Sequence, residues 1–204
     1  PQFIDSAKDY QMAETPDGVT FYRVPNPITD VFSLSISVDF GSFEDNTIAA
    51  AVMLLGKSGT ETYSPLDLKK EWYKLGTDFG VSAGDNETVI TLSGLDENFD
   101  ASVALLMDVM RHPKVDDETL SQLKRIILTN RADAKKEPQS VSSALVQFNR
   151  FGKDSYFLRM LPEEPLKALT VDQLHAVTRK LLDYKHTVSY TGTLPMDAVQ
   201  AAFA

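Results

Sequence analysis

The chain has 204 residues, of which 43% are hydrophobic and 24% are charged, and these values are typical of a globular protein with a packed core. Its net charge of −9 repels phosphate backbones and anionic lipids, and no apolar run is long enough to cross a bilayer, so we expect neither a nucleic-acid partner nor membrane insertion. Cysteine is absent, which excludes disulfides and thiolate metal sites; the compartment stays unknown, with a periplasmic or secreted location slightly favoured over a cytoplasmic one.

Residues 1–16 lack the basic and apolar regions of a signal peptide, and the sequence begins without Met. We interpret them as a lead-in segment to a single domain over residues 17–204, and we expect the chain to be a fragment of a longer protein. The segment 17–27 then predicts a short strand that ends at a Pro-Asn-Pro turn.

The clearest periodic pattern lies in residues 31–40, where apolar and polar side chains alternate. A period of two places the apolar set on one face of a strand and the polar set on the other. We therefore expect one face, formed by Phe32, Leu34, Ile36, Val38 and Phe40, to be buried, and the other, formed by Ser33, Ser35, Ser37 and Asp39, to be polar.

Downstream, the patterns predict helices more often than strands. An apolar helix at about 46–56 includes the uncharged run Ile48 to Leu55, and a second helix runs from 64 to 76. Strands at 78–84 and 87–94 form a hairpin through Asp-Asn-Glu. Further helices are predicted at 99–111, 117–136, 141–151 and 171–182, followed by a strand at 186–192 and a final helix after Pro195.

This order of elements indicates a single α+β domain. We expect a mainly antiparallel sheet of five to six strands, with the helices packed on one face.

Residue chemistry alone shows no catalytic constellation. Three histidines, His112, His175 and His186, lie far apart in sequence, and we expect them in surface or helix-capping positions. The acidic segments 43–46 and 84–87 lack the ligand spacing of a calcium loop and are typical of turns. No HExxH, phosphate-binding loop, GxGxxG or GxSxG motif is present.

The ordered series of segments nevertheless resembles one domain of a known family. "DFGSFED", the apolar helix, "GTETYSPLDLKKEWYKLG", "VITLSGLDENFDASVALLMDVMRHP" and "HTVSYTG" together are similar to the insulinase–pitrilysin (M16-like) family of zinc metallopeptidases. The resemblance covers about 17–203 and implies the fold of mitochondrial processing peptidase and the LuxS protein. The segment "VPNPITDVFSLSISVDFGS" resembles the start of the first domain of the C-terminal half in long members.

Active domains of this family carry HxxEH on the apolar helix. The two His side chains share one helix face and ligate zinc, the Glu acts as base, and a Glu on a later helix is the third protein ligand. Alignment through Gly59-Thr60 places the motif positions on Ala50, Met53 and Leu54, and the later Glu on Asn130. These four residues offer neither a zinc ligand set nor a base, so the resemblance implies no catalytic, cofactor-binding or metal-binding residue in this chain.

The resemblance thus implies a non-catalytic domain that helps to enclose a peptide substrate and supports proteolysis by an HxxEH domain elsewhere. Zinc is expected in the catalytic domain of the parent or partner protein, and the expected partners are other M16-like domains and the peptide. The isolated chain is predicted to be inactive and the parent to be a zinc metalloendopeptidase. An alternative is a non-enzymatic subunit that pairs with a separate active chain. An HxxEH motif upstream in the same chain supports the first reading, and one in a separate, adjacent chain supports the alternative.

Overall fold

The computed structural model describes residues 9–203. The strands are β1 (Gln11–Glu14), β2 (Thr20–Pro25), β3 (Val31–Val38), β4 (Gly59–Thr60), β5 (Asp78–Ala83), β6 (Thr88–Leu95), β7 (Pro113–Lys114) and β8 (His186–Gly192). The helices are α1 (Ile48–Leu55), α2 (Pro65–Leu75), α3 (Phe99–Arg111), α4 (Asp117–Ala134), α5 (Pro138–Phe151), α6 (Tyr156–Arg159), α7 (Glu163–Ala168), α8 (Val171–Arg179) and α9 (Met196–Ala201).

Six of these strands form one sheet in the order β1-β2-β8-β3-β6-β5. The β2–β8 pair is parallel, and the other four pairs are antiparallel. β4 and β7 form a separate two-residue ladder that ties the end of α1 to the end of α3. The predicted α+β class and the mainly antiparallel sheet are confirmed.

The helices cover one face of the sheet, as predicted. In β3, Phe32, Leu34, Ile36 and Val38 are each at most 1% exposed, whereas Ser33 is exposed and Ser35 and Ser37 are partly exposed. The buried residues of β3 pack with those of β6 and β8 and with α1, α2 and α3 in the main core. Period-two alternation therefore decides which side of the sheet the helices occupy.

Local capping chemistry sets several helix ends. Ser64 accepts a hydrogen bond from the Asp67 N–H at the start of α2, and Asp116 does the same for Thr119 at the start of α4. The predicted capping box of Thr170 and Gln173 opens α8. Each cap satisfies an N–H group that the helix itself leaves unpaired.

The structure differs from the sequence-based boundaries in several places. Residues 11–14, inside the predicted lead-in segment, form an edge strand that pairs with β2. α5 begins at Pro138, three residues before the predicted start, because proline is well suited to the first helical turn. The short helices α6 and α7 were not predicted, since four- and six-residue segments are too short for a periodic pattern to identify.

Helix α8 is shorter than the predicted 171–182, since it ends at Arg179 and a 3₁₀ turn follows at Leu181–Asp183. Among residues 9–203, no helix is both long and apolar enough to cross a membrane.

Candidate functional site

Helix α1 occupies the position where the resemblance places the zinc-binding motif. Asp45 accepts hydrogen bonds from the backbone N–H and hydroxyl of Thr47 at 2.8 and 2.7 Å, which fixes the loop that leads into the helix. The helix lies between two apolar clusters. Ile48, Val52 and Leu55 pack in the main core against the sheet, and Ala50, Ala51 and Leu54 pack in a second cluster on the other side.

Two of the three predicted motif positions lie in this second cluster. Ala50 is 7% exposed and Leu54 is fully buried. Their neighbours are leucine side chains from α4, the segment before α7, α7 and α8, namely Leu120, Leu123, Leu161, Leu166 and Leu174. Met53, the position of the catalytic base, is 42% exposed and lies outside both clusters.

The fourth predicted position, Asn130, lies on α4 near the edge of the second cluster. Helix α4 contributes the buried Leu120 and Leu123 and the partly buried Ile127, so α1 and α4 pack against each other. Asn130 follows Leu123 by seven residues and therefore shares its side of the helix, but its side chain is exposed. The assignment of these four positions to the HxxEH motif and its later Glu stays a prediction.

These residues do not fit a zinc ion. Structural and catalytic zinc sites take His, Cys, Asp or Glu ligands, usually three or four from the protein. Alanine, leucine and an exposed asparagine offer no such set, and the thioether of Met53 is a ligand for softer metals. Within residues 9–203 no group of three or more His, Cys, Asp or Glu side chains is placed to hold a metal.

His175 is buried beside α1, so the predicted surface or capping position is wrong for this residue. It is 2% exposed, and its Nε2 lies 3.2 Å from the hydroxyl of Ser58, which donates to the Leu54 carbonyl at 2.9 Å. Burial, followed by the positive charge of Arg179, lowers the pKa of His175, so the ring is neutral at neutral pH. A lone neutral His with a hydroxyl partner stabilises the packing of α8 on α1.

A signal for this burial exists in the sequence. Leu174, His175 and Thr178 lie at helical spacing on one face of α8, and all three are buried. The other two histidines match the expected roles. His112 Nδ1 lies 2.9 Å from a carboxylate oxygen of Asp108, and His186 Nδ1 donates to the Tyr184 carbonyl at 2.8 Å.

The two acidic segments, predicted as turns, contact each other, since the Phe43 N–H donates to the Asp85 carbonyl at 2.9 Å. The Ser42 N–H donates to the Gly84 carbonyl, and the Ser42 hydroxyl donates to Asp85 at 2.9 Å. Arg159 lies 3.3 Å from the Asp85 carboxylate and stacks over the Phe43 ring at 3.7 Å. The guanidinium thus joins α6 to both turns.

Within residues 9–203, two surfaces of the domain are left uncovered by helices and strands. The face of the sheet opposite the helices presents hydroxyl groups from three neighbouring strands. Ser33 and Ser35 of β3 pair with Ser or Thr residues of both β6 and β8, and Ser37 pairs with Thr187 of β8 and with Val89 of β6. Helix α5 has no buried residue along its 14 positions. Its apolar side chains, and those of α6 beside it, are 42–62% exposed: Val141, Leu145, Val146, Phe148, Phe151, Tyr156 and Leu158.

The structure is similar to several solved proteases and to one solved peptidase domain. A peptidase M16 inactive domain from Pseudomonas fluorescens matches with a TM-score of 0.80 at 18% identity, over 95% of this chain and 48% of that one. The periplasmic protease PqqL from Escherichia coli matches with a TM-score of 0.83 at 15% identity, over 98% of this chain and 23% of that one. A protease from Helicobacter pylori gives a TM-score of 0.73 at 14% identity, over 95% and 48%.

This chain therefore spans about half or a quarter of the length of these proteins. At these identities the similarity shows the fold alone, and no curated protein matches the sequence. The sequence profile of the insulinase family, peptidase family M16, matches residues 23–160, which is more than half of the chain. The chain therefore belongs to the insulinase family of peptidases, and its fold is that of the peptidase M16 inactive domain from Pseudomonas fluorescens.

Proposed function

We propose that the chain is a non-catalytic domain of a larger zinc metallopeptidase, in which it forms part of the wall of a peptide-enclosing chamber. The family uses zinc in its catalytic domain, and α1 carries apolar residues at the positions aligned with the ligands, so cleavage is assigned to an HxxEH domain elsewhere. The observation that carries the chamber role is the uncovered, hydroxyl-lined face of the sheet.

That face is suited to an unfolded peptide because it is polar without concentrating charge. Ser33 lies opposite Ser93 on one side and Thr191 on the other, and Ser35 lies opposite Thr91 and Ser189. Hydroxyl groups donate and accept hydrogen bonds without selecting one sequence or one sign of charge.

The 204 residues contain no cysteine, so an introduced thiol is unique within this domain and allows a direct test once any cysteine elsewhere in the parent has been replaced. A Ser33→Cys variant of the intact parent protein is treated with a small maleimide and with a maleimide on a bulky polymer. We expect the small reagent to label Cys in the assembled enzyme and the bulky one to be excluded. A Lys69→Cys control, on the exposed side of α2, is expected to react with both. Equal labelling of Ser33→Cys by both reagents in the closed enzyme contradicts the chamber role.

The uncovered side of α5 supports a second part of the proposal, namely contact with another domain of the same fold. Seven half-exposed apolar side chains on α5 and α6 form a surface of the kind that monomeric proteins rarely leave in water. Residues 131–160 carry six Lys or Arg and three Asp or Glu, in a chain whose net charge is −9. A domain of similar acidic composition is therefore an electrostatically suitable partner.

The test compares two substitutions on the same helix. Phe148→Asp places a charge on the apolar side, and Asn149→Asp places the same charge one residue away at an exposed polar position. Size-exclusion chromatography and limited proteolysis of the parent protein are expected to show loosened domain packing for Phe148→Asp only. If the reading frame of the parent lacks HxxEH and Phe148→Asp releases a separate active chain from the complex, the alternative of a non-enzymatic interaction subunit is favoured. Equal behaviour of both variants contradicts this use of α5.

A further inference from the structure

A cavity of about 420 Å³ opens where the carboxyl ends of α3 and α8 approach the turn between β1 and β2. Its volume lies within the range of roughly 300–1,000 Å³ that is common for small-molecule sites. No residue of α1 lines it. The cavity is therefore separate from the positions on α1 that are aligned with zinc ligands, and from the uncovered sheet face and α5 surface described above.

The floor of the cavity is apolar. Phe21 of β2, Ile36 of β3 and Met110 of α3 are each at most 3% exposed. Phe203 lies beside them with its ring edge-on to Phe21, at 5.6 Å between ring centres. Met107 is partly exposed at the side, and its flexible thioether can adapt to the shape of a bound group. Such a floor favours an apolar ligand body.

Two arginine side chains lie at the rim of the cavity. Arg111 occupies the last turn of α3, and Arg179 occupies the last turn of α8. Each interacts favourably with its own helix dipole there. Within residues 9–203, however, neither guanidinium has an ion-pair partner or a hydrogen bond. Two arginines from different helices thus face one cavity with their donor groups unused, in a protein with an excess of acidic residues.

The remaining rim groups restrict the charge of the ligand. Asp17 and Asp183 also line the cavity, and Asp17 is hydrogen-bonded to Thr15, which lowers its pKa and keeps it ionised. A ligand with several negative charges meets repulsion from these carboxylates, whereas a single carboxylate can pair with the guanidinium groups. His186 also lines the cavity, and its Nδ1 donates to the Tyr184 carbonyl at 2.8 Å.

We propose that this cavity binds a small molecule that has an apolar body and one carboxylate, held between the apolar floor and the guanidinium groups of Arg111 and Arg179. The C-terminal residue of an apolar peptide and a short fatty acid share this chemistry. The proposal does not depend on the proposed role in a chamber, because it concerns a different surface of the domain.

Titration calorimetry of the 204-residue chain tests the charge requirement. N-acetyl-leucine is compared with N-acetyl-leucinamide, which has the same apolar body and no charge, and octanoate represents the fatty-acid source. We expect saturable binding of at least one carboxylate and about tenfold weaker binding of the amide, since the amide cannot form charge-assisted hydrogen bonds with the guanidinium groups. Preference for N-acetyl-leucine supports a peptide C-terminus, and preference for octanoate supports a fatty acid.

Three arginine variants locate the site. Arg111→Gln and Arg179→Gln are each expected to weaken binding of the preferred carboxylate by about tenfold. Arg125→Gln, at an exposed position of α4 outside the cavity, is the matched control and is expected to bind as the unchanged chain does. All three side chains are exposed, so the fold is expected to tolerate each change, and thermal unfolding checks this.

Met107→Phe tests the cavity without altering charge, because a larger side chain at its wall reduces the space for the ligand body. We expect weaker binding with both arginines intact. The proposal is overturned by the absence of saturable binding for both carboxylates, by equal binding of acid and amide, or by equal effects of Arg125→Gln and the two rim substitutions.

Discussion

Tyr190 of β8 donates a hydrogen bond of 2.6 Å to Asp96, which lies 94 positions earlier in the chain, just after β6. Both residues are buried, and the other oxygen of Asp96 accepts bonds from the N–H and the hydroxyl of Thr193 at 3.0 and 2.7 Å. The Leu194 N–H donates to the Tyr190 oxygen at 3.1 Å. This network fixes the end of β8 to the junction between β6 and α3.

Tyr190→Phe is expected to destabilise the domain by about 1–3 kcal/mol, because it leaves a buried carboxylate oxygen and the Leu194 N–H without their partner. Urea unfolding of the 204-residue chain measures this. Tyr73→Phe is the control, since Tyr73 is 87% exposed. A loss no larger than that of the control would mean that water replaces the hydroxyl group in this network.

Gly59 is required by a close backbone approach. A Cβ atom at this position would overlap the carbonyl oxygen of Tyr63, so Gly59→Ala is expected to cost about 1–3 kcal/mol. Gly56 is the matched control, because its φ of −64° is helical and the nearest atoms to an added Cβ lie 3.7 Å away. Gly56→Ala is therefore expected to be neutral or stabilising by up to about 1 kcal/mol. Chemical denaturation measures the free energy of unfolding of both variants. Equal losses for Gly59→Ala and Gly56→Ala would contradict the requirement for glycine at position 59.

His175 is expected to make stability dependent on pH. Burial lowers its folded-state pKa below the ordinary value of 6.5, so the unfolded chain takes up this proton first as the pH falls. The unfolded state then binds more protons than the folded state. The contribution of neutral His175 to the free energy of unfolding is therefore fully present above the ordinary pKa of 6.5 and is lost as the pH falls below it. Unfolding free energies at about pH 8 and about pH 5 are compared for the unchanged chain and His175→Gln. We expect the difference between the two proteins to shrink at the lower pH; a constant difference argues against a lowered pKa.

The four positions aligned with the zinc ligands and base can be tested by restoring the missing groups. A variant with Ala50→His, Met53→Glu, Leu54→His and Asn130→Glu is expected to bind about one zinc per chain and to be stabilised thermally by it. The unchanged chain is expected to bind no stoichiometric zinc and to cleave no quenched peptide. Elemental analysis after dialysis and melting curves with and without zinc measure these outcomes.

A control moves the same chemistry by one residue. Ala49→His, Val52→Glu and Met53→His, combined with Asn130→Glu, turn the motif about 100° around α1. This variant is expected to gain no zinc-dependent stability. Zinc binding by the shifted set and not by the aligned set would show that the alignment through Gly59-Thr60 is displaced.

Some features of this protein were decided by local sequence. Period-two alternation in residues 31–40 predicted both the strand and its buried face, and the side chains of Thr170 and Gln173 predicted the start of α8. The absence of ligating groups at Ala50 and Leu54 follows from the residues themselves. Such predictions succeed because each depends on neighbours along the chain, through side-chain periodicity or a cap that spans three residues.

Other features depended on contacts between distant parts of the chain. Edge strand β1 exists because β2 offers a pairing partner, and β2 runs parallel to β8 although 160 residues separate their ends in sequence. His175 is buried because α8 packs on α1, and Met53 is left half-exposed by the same packing. The sequence by itself determined which residues could not be a zinc site; only the tertiary structure decided which side chains meet, because burial and pairing are set by the arrangement of whole elements and not by any single segment.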